Sequence, residues 1–388
     1  MYTVQLKRNH ERRILSGHLW VFSNELQEVP DYPAGEIVEV KNYSGRSYGL
    51  GFYNPHSLIA VRMLETDTVF DGKKLEGRIR MALEYRMKIG RDTGSMRLVY
   101  GESDFLPGLI IDKFGDYFSL QILSAGMENF IHEIVNSIKK IFPDVKAIVE
   151  KNDSHWRKIE NLELRESVLF GDLPDEIEFK ENNIKYKISL LSGQKTGYYL
   201  DQSDNRKFTG SISKGLSVLD CYCNQGGFAL NAALGGAVEV LGIDASEDAI
   251  LKAKANAELN KLTNIKFEKA DVPEFLEKQI SENIKWDMII LDPPAFTKSK
   301  KNVSTAKAGY AKINRLAMKS LNEGGFLVSS SCSGHITEDT FYDIIANEAG
   351  KLNQHLRLVF RGGQASDHPI LSAMPETKYL KFFVFQVL

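Results

Sequence analysis

The stretch Ser217-Val218-Leu219-Asp220-Cys221-Tyr222-Cys223-Asn224-Gln225-Gly226-Gly227-Phe228 decides the fold. A short apolar run ends in an acid, a Gly-Gly turn follows, and the helix-forming Ala229-Leu230-Asn231-Ala232-Ala233-Leu234 comes next. Strand, tight turn and helix start are the reading, and the glycines let the backbone turn sharply and approach a ligand. The same texture recurs downstream. Strand-like runs at Val238–Asp244, Ile265–Lys269, Met288–Asp292 and Phe326–Ser330 alternate with helical periodicity, and two late strands lie at Leu356–Phe360 and Tyr379–Val387. Near-continuous apolar strands are buried on both faces, as in a parallel sheet flanked by helices. The expectation is an α/β, Rossmann-like domain with a seven-stranded, mostly parallel sheet.

In doubly wound sheets the ligand lies outside the carboxyl ends of the strands, near the point where strand order reverses. Three successive strands end in acids here: Asp220, Asp244 and Asp271. Any one of them is more often a helix N-cap, but three in register beside Gly226 and Gly227 point to a nucleotide-like cofactor. The first loop lacks the Gly-x-Gly-x-x-Gly spacing of a pyrophosphate cradle, which argues against NAD and FAD. S-Adenosyl-L-methionine needs no phosphate cradle. Its amino group and sulfonium are cationic, which suits Asp220; Asp244 suits ribose hydroxyls, and Asp271 the adenine amino group. Asn224, Ala245 and Val272 belong to the same loops.

The fourth strand ends in Asp292-Pro293-Pro294-Ala295-Phe296. Two prolines hold an extended chain without free N–H groups, so Asp292 and Phe296 are presented to a flat base, on which Phe296 stacks; the alternative is a rigid strand-to-helix turn. The fifth strand runs into Ser331-Cys332-Ser333-Gly334-His335. On chemistry alone Cys332 is equally a small core hydrophobe and a nucleophile at a strand's outer end.

The remaining sequence sets the context. The 388 residues are 43% hydrophobic and 26% charged with net charge -2, enough for two or three globular domains with ordinary cores. Three cysteines suit a reducing compartment, no apolar run approaches a membrane span, and the polar, basic N-terminus is not a signal peptide, so a cytoplasmic location is expected. Cys221 and Cys223 lack the second pair of ligands a zinc site needs, so no metal is expected. Residues 1–70 alternate short strands and turns, with runs at Glu36–Lys41, Arg46–Tyr53 and Leu58–Leu64, and read as a small β-barrel. Residues 71–191 open with a basic helix, Gly72–Ile89, and continue as an α+β module with a helix over Glu128–Phe142; residues 192–388 form the α/β domain. Lys73, Lys74 and Arg78 on the basic helix and Lys298 after the prolines are candidate phosphate contacts or simply solvated charges.

Taken together, these segments resemble the RlmI-type large-subunit rRNA cytosine-C5 methyltransferases over nearly the full length. The likeness is carried by Gly17-His18-Leu19-Trp20-Val21-Phe22-Ser23, by Gly101-Glu102-Ser103-Asp104-Phe105-Leu106-Pro107-Gly108, by Gly193–Gln202 with Thr196 and Tyr199, by Asp292–Phe296, by Ser331-Cys332-Ser333, and by Pro375–Lys381. The resemblance implies an N-terminal PUA domain, a class I methyltransferase domain and a central α+β domain between them. It implies a cytidine of 23S rRNA as substrate, Cys332 as nucleophile, Asp292 as its partner at the base, and adenosylmethionine at the Asp220, Asp244 and Asp271 loops. Asp292, Thr196 and Tyr199 join the cofactor set, and Pro293, Pro294, Phe296 and Lys298 the substrate set. Ser203 stands where the family commonly has Arg. Ala295 and Phe296 stand where many RNA C5-methyltransferases carry a second cysteine, which leaves His335 or a water as the base for the C5 proton. Two rivals stay open: methylation of a base nitrogen with Cys332 structural, and a non-catalytic ribosome-assembly factor. No membrane partner is expected; a homodimer is compatible with the sequence.

Overall fold

The structure, a computed structural model, describes residues 1–64, 69–91, 94–191, 197–297 and 300–388. The chain divides into two compact units. One comprises Met1–Lys180, Ile188–Leu200 and Ser366–Lys378; the other comprises Glu181–Lys187, Asp201–Ala365 and Tyr379–Leu388.

The second unit is built on a seven-stranded sheet: β1 (Ser217–Cys221), β2 (Glu239–Asp244), β3 (Ile265–Lys269), β4 (Trp286–Leu291), β5 (Leu321–Ser331), β6 (Leu356–Gly362) and β7 (Lys381–Val387). Their spatial order is β3-β2-β1-β4-β5-β7-β6. The first five are parallel, while β7 runs antiparallel to both β5 and β6. Strand order reverses between β1 and β4, so the carboxyl ends of those two strands open the crevice where doubly wound sheets bind ligands. Burial explains the apolar runs: Leu219, Ile243, Ile289, Leu291 and Leu327 are fully buried and share one core with Tyr310, Phe341 and Ile345 of the covering helices. Helices Glu247–Leu259, Val272–Ser281 and Glu338–Lys351 start on side-chain caps from Ser246, Asp271 and Thr337.

In the first unit, strands at Tyr2–Gln5, Trp20–Phe22, Ile37–Lys41, Ser47–Tyr53 and Ile59–Met63 form one sheet whose edge strands are the first two of these. The edges meet through the Leu6–Leu26 bridge, with Lys7 N–H on the Glu25 carbonyl and Gln27 N–H on the Gln5 carbonyl, both at 2.8 Å. The sheet thus closes into the expected small barrel around Val4, Leu19, Val38, Val40, Tyr53 and Val61. Sequence reading found three of its strands. Trp20–Phe22 is too short, and Tyr2–Gln5 too irregular, to register as alternation.

The rest of that unit is a second five-stranded sheet of Ser95–Tyr100, Leu109–Phe114, Tyr117–Ile122, Ala147–Asn152 and Arg165–Gly171. The helix Gly72–Lys88 buries Leu75, Ile79 and Ala82 at helical spacing. The helix expected over Glu128–Phe142 is two, Ala125–Glu128 and Ile131–Ile141. The break sits at Phe130, whose ring packs on Phe52 and Phe70 at 5.8 and 5.3 Å between centroids. Among the described residues no helix is long and apolar enough to cross a membrane.

Candidate active site

At the carboxyl end of β1 the chain turns through two left-handed non-glycine residues, Tyr222 and Asn224 (φ 64° and 47°), and reaches Gly226 at φ 84° before the helix Gly227–Leu234. A side chain at Gly226 would meet the Phe267 ring at 3.0 Å, and one at Gly242 would meet it at 2.5 Å. The loop therefore lies against β2 and β3 as closely as glycine allows. Asp220 is fully buried. Its Oδ2 accepts the Ala229 N–H at 2.9 Å, while Oδ1 has no hydrogen-bond partner among the described residues. Burial pushes the Asp220 carboxyl well above the usual carboxylate range, and neighbouring Asp292 and Asp244 add to the rise. A buried acid with one oxygen unsatisfied is a receptor for a cation or a hydrogen-bond donor.

Asp244, half-buried, accepts from the backbone N–H of Asn224 at 3.0 Å and of Ser246 at 2.9 Å, so it ties the β1 loop to the β2 loop. Ala245 beside it is exposed. Asp271 is exposed and caps its helix by accepting the Glu274 N–H at 3.2 Å, with Val272 buried next to it. The N-cap reading thus describes what the Asp271 carboxylate does here. Tyr199 belongs to the first unit, and Thr196 and Lys298 lie outside the described residues.

Asp292 follows β4 directly. Its Oδ1 accepts from Gln202 Nε2 at 3.0 Å and from the Ser330 hydroxyl of β5. Burial raises its pKa, the Ser330 hydroxyl works against the rise, and Asp201 adds to it. Since Leu291 pairs with Ser329 across β4 and β5, Asp292 stands level with Ser330, and part-buried Cys332 stands two residues beyond. Pro293 is buried, Pro294 exposed and Phe296 half-buried.

Cys332 is held from both sides. The hydroxyl of Tyr310, fully buried on the helix Val303–Lys319, bonds Ser331 Oγ at 2.9 Å and Ser333 Oγ at 3.0 Å. The Tyr310 ring lies 4.6 Å from that of Phe296. Buried Lys381, at the start of β7, donates to the carbonyls of Ser333 and Tyr379 at 2.7 and 2.8 Å. By contrast Cys221 and Cys223 are buried, which pushes both thiols well up, away from the thiolate. Ser203 is fully buried at the start of its helix.

Sequence reading missed Gln202, Ser330, Tyr310 and Lys381 as parts of this arrangement. Gln202, Ser330 and Lys381 sit inside segments it quoted, so proximity in sequence was the available signal. Tyr310 is the single aromatic of its helix, on a face it shares with Ala306, Ile313 and Ala317, and it reads as an ordinary core residue.

Comparisons with known proteins bear on the fold and the family. A PUA-like domain matches residues 4–66 and a methyltransferase domain residues 212–372. A Streptococcus mutans chain described as a candidate SAM-dependent methyltransferase superposes with TM-score 0.84 at 21% identity over 100% of both chains. SMU.776, solved in complex with SAH, does so with TM-score 0.86 at 22% identity, also over 100% of both. These likenesses concern the fold. In sequence, ribosomal RNA large subunit methyltransferase I of Tolumonas auensis is 39% identical over 100% of this chain and 99% of its own. The protein of that name from Klebsiella pneumoniae is 36% identical over 99% and 98%. With a barrel, a central sheet and a methyltransferase sheet in one chain matched from end to end, this protein belongs to the ribosomal RNA large subunit methyltransferase I family.

Proposed function

We propose that the protein methylates C5 of a cytidine in 23S rRNA, with S-adenosyl-L-methionine as methyl donor and Cys332 as covalent nucleophile. The observation that carries the reading is the pairing at the ends of β4 and β5: Asp292 fixed by Gln202 and Ser330, with Cys332 just beyond, clamped through its two serine neighbours. The relatives' name supplies the substrate class, large-subunit rRNA. The unsatisfied oxygen of Asp220 and the close glycine turn at Gly226 and Gly227 fit the charged end of adenosylmethionine, and SMU.776 holds SAH on the same fold. Asn224, Asp244 and Ala245 hold the ribose side, and Asp271 and Val272 the adenine side.

When bound, adenosylmethionine presents an electrophilic methyl group. Cytosine C5 is a poor nucleophile until the Cys332 thiolate adds to C6, which forms the S–C6 bond and moves the electron pair to C5. Asp292, whose carboxyl burial pushes up, faces N3 and the exocyclic amine and supplies the proton that N3 takes as C6 is attacked. Methyl transfer to C5 follows; a base, exposed His335 or a water, removes the C5 proton, and that electron pair expels Cys332. Phe296, Pro293 and Pro294 support the base plane. The barrel (1–70) and the central segment (71–191), with Lys73 and Lys74, grip RNA backbone, and Lys298 does so beside the α/β segment (192–388). The work is done in the cytoplasm, on ribosomal RNA. Large-subunit rRNA carrying 5-fluorocytidine tests the assignment, because loss of a C5 proton is then blocked and a covalent complex accumulates. Wild type forms the complex, while Cys332→Ala forms none and loses methyl transfer. Full activity of Cys332→Ala without any wild-type adduct overturns C5 in favour of a base nitrogen.

A further inference from the structure

The first unit contains a cavity of about 610 Å³ that the chemistry above does not use. One wall is the helix Gly72–Lys88, which contributes Lys74, Arg78, Met81 and Tyr85; the other is the turn Ser103–Phe105, with Pro369 closing one end. Met81, Tyr85 and Phe105 are 63%, 37% and 36% exposed. Three large apolar side chains gathered in one concavity are a concentration that scattered surface residues do not produce.

The turn is built to present its ring. Phe105 sits at φ 56°, the left-handed region, where a bulky residue is strained by about 1 kcal/mol or more. It is held there by its N–H on the Glu102 carbonyl at 3.0 Å and by the Arg78 guanidinium, which donates to the Phe105 and Leu64 carbonyls. Next to it Asp104 is locked in a two-pronged pair with fully buried Arg86 and also accepts the Tyr100 N–H. The acid at the cavity edge is therefore neutralised, and the rim carries the cation of Lys74.

We propose that this cavity receives an unpaired nucleobase of the substrate RNA, stacked among Tyr85, Phe105 and Met81, with that nucleotide's phosphate at Lys74. A flat apolar face tethered to an anion matches aromatic walls beside a cation, which is how single strands are held without sequence preference. The inference rests on RNA being the substrate, as proposed above.

The test uses the whole chain and a short single-stranded oligoadenylate carrying one fluorescent purine analogue, with a duplex of the same length as comparison. Binding quenches the analogue in the single strand only. Tyr85→Ala and Phe105→Asn, the latter chosen because Asn tolerates the left-handed backbone, each weaken single-strand binding by about tenfold and reduce the quenching. Neither changes the salt slope, since no phosphate contact is removed. Should Phe105→Asn fail to fold, Tyr85→Ala decides, because it lies on an exposed helix position. An unquenched wild type, or a Tyr85→Ala variant that binds and quenches like wild type, overturns the nucleobase and leaves an apolar segment of a protein as the occupant. Methylation of protein-free 23S rRNA is assayed in parallel. Methylation with unimpaired variants sinks the cavity alone, whereas no methylation by wild type sinks the functional reading.

Discussion

Asp220 keeps one carboxylate oxygen on the Ala229 N–H and the other without a hydrogen-bond partner among the described residues, in a fully buried position with its pKa pushed well above 3.8. The sign of the consequence follows from linkage. An acid whose folded pKa is raised binds more protons folded than unfolded, so its stability contribution is present below 3.8 and is lost as pH rises toward the folded value. A cationic ligand favours the ionised form and so releases that proton. Adenosylmethionine affinity is expected to rise with pH from the acid side until Asp220 is ionised in the ligand-free protein. Asp220→Asn is expected to bind weakly and with a flat profile. Calorimetry across pH in buffers of different ionisation enthalpy reads both; a flat wild-type profile would show that Asp220 is already ionised.

In the proposed reaction Tyr310 acts through Cys332. Its hydroxyl joins Ser331 and Ser333, and its ring meets Phe296, so one side chain sets the proposed nucleophile segment and the proposed base-stacking residue together. Tyr310→Phe keeps the ring and leaves two buried serine hydroxyls short of a partner, at a cost of about 1–3 kcal/mol. The expected result is a fall in kcat of roughly tenfold to a hundredfold, as for a misplaced reacting group, with KM for adenosylmethionine unchanged. An unchanged kcat in a destabilised variant would reduce Tyr310 to a packing residue. Asp220 and Cys332 were readable from strand ends and an acid or thiol at each. Tyr310 was not, because its function lies in a contact between residues 21 and 23 positions apart.

At the scale of elements, the helix Gly72–Lys88 spends several of its cations internally. Arg78 donates to two carbonyls, Arg80 pairs with Glu76, and Arg86 is fully buried against Asp104. The sequence showed a cluster of positive charge; tertiary contacts give Arg78, Arg80 and Arg86 partners within the unit, while Lys73 is exposed and Lys74 half-buried in the first turn of the helix. Lys73 and Lys74 are the residues to change for RNA binding. Neutralising both is expected to raise the RNA dissociation constant and to flatten the log–log salt dependence by up to about two units, with adenosylmethionine affinity unaltered. Arg78→Ala should lower the thermal midpoint instead, since Phe105 loses its carbonyl partner. Filter binding over a salt series separates the two; an unchanged slope in the double variant makes the helix a solvated connector.

For the whole molecule, the sequence by itself determined the α/β class, the seven strands, the barrel's existence and the loops that carry Asp220, Asp244, Asp292 and Cys332. It could do so because these features are local: a strand buried on both faces must be apolar along its length, and its end is marked by the first acid or glycine that solvent or ligand demands. Strand order, closure of the barrel through Leu6 and Leu26, and the break at Phe130 came only from the tertiary structure. So did the partners of Asp292 and the clamp on Cys332. Each of these is decided by a hydrogen bond or a ring contact between segments tens of residues apart, and such pairings depend on how the chain is packed rather than on the period of any one stretch.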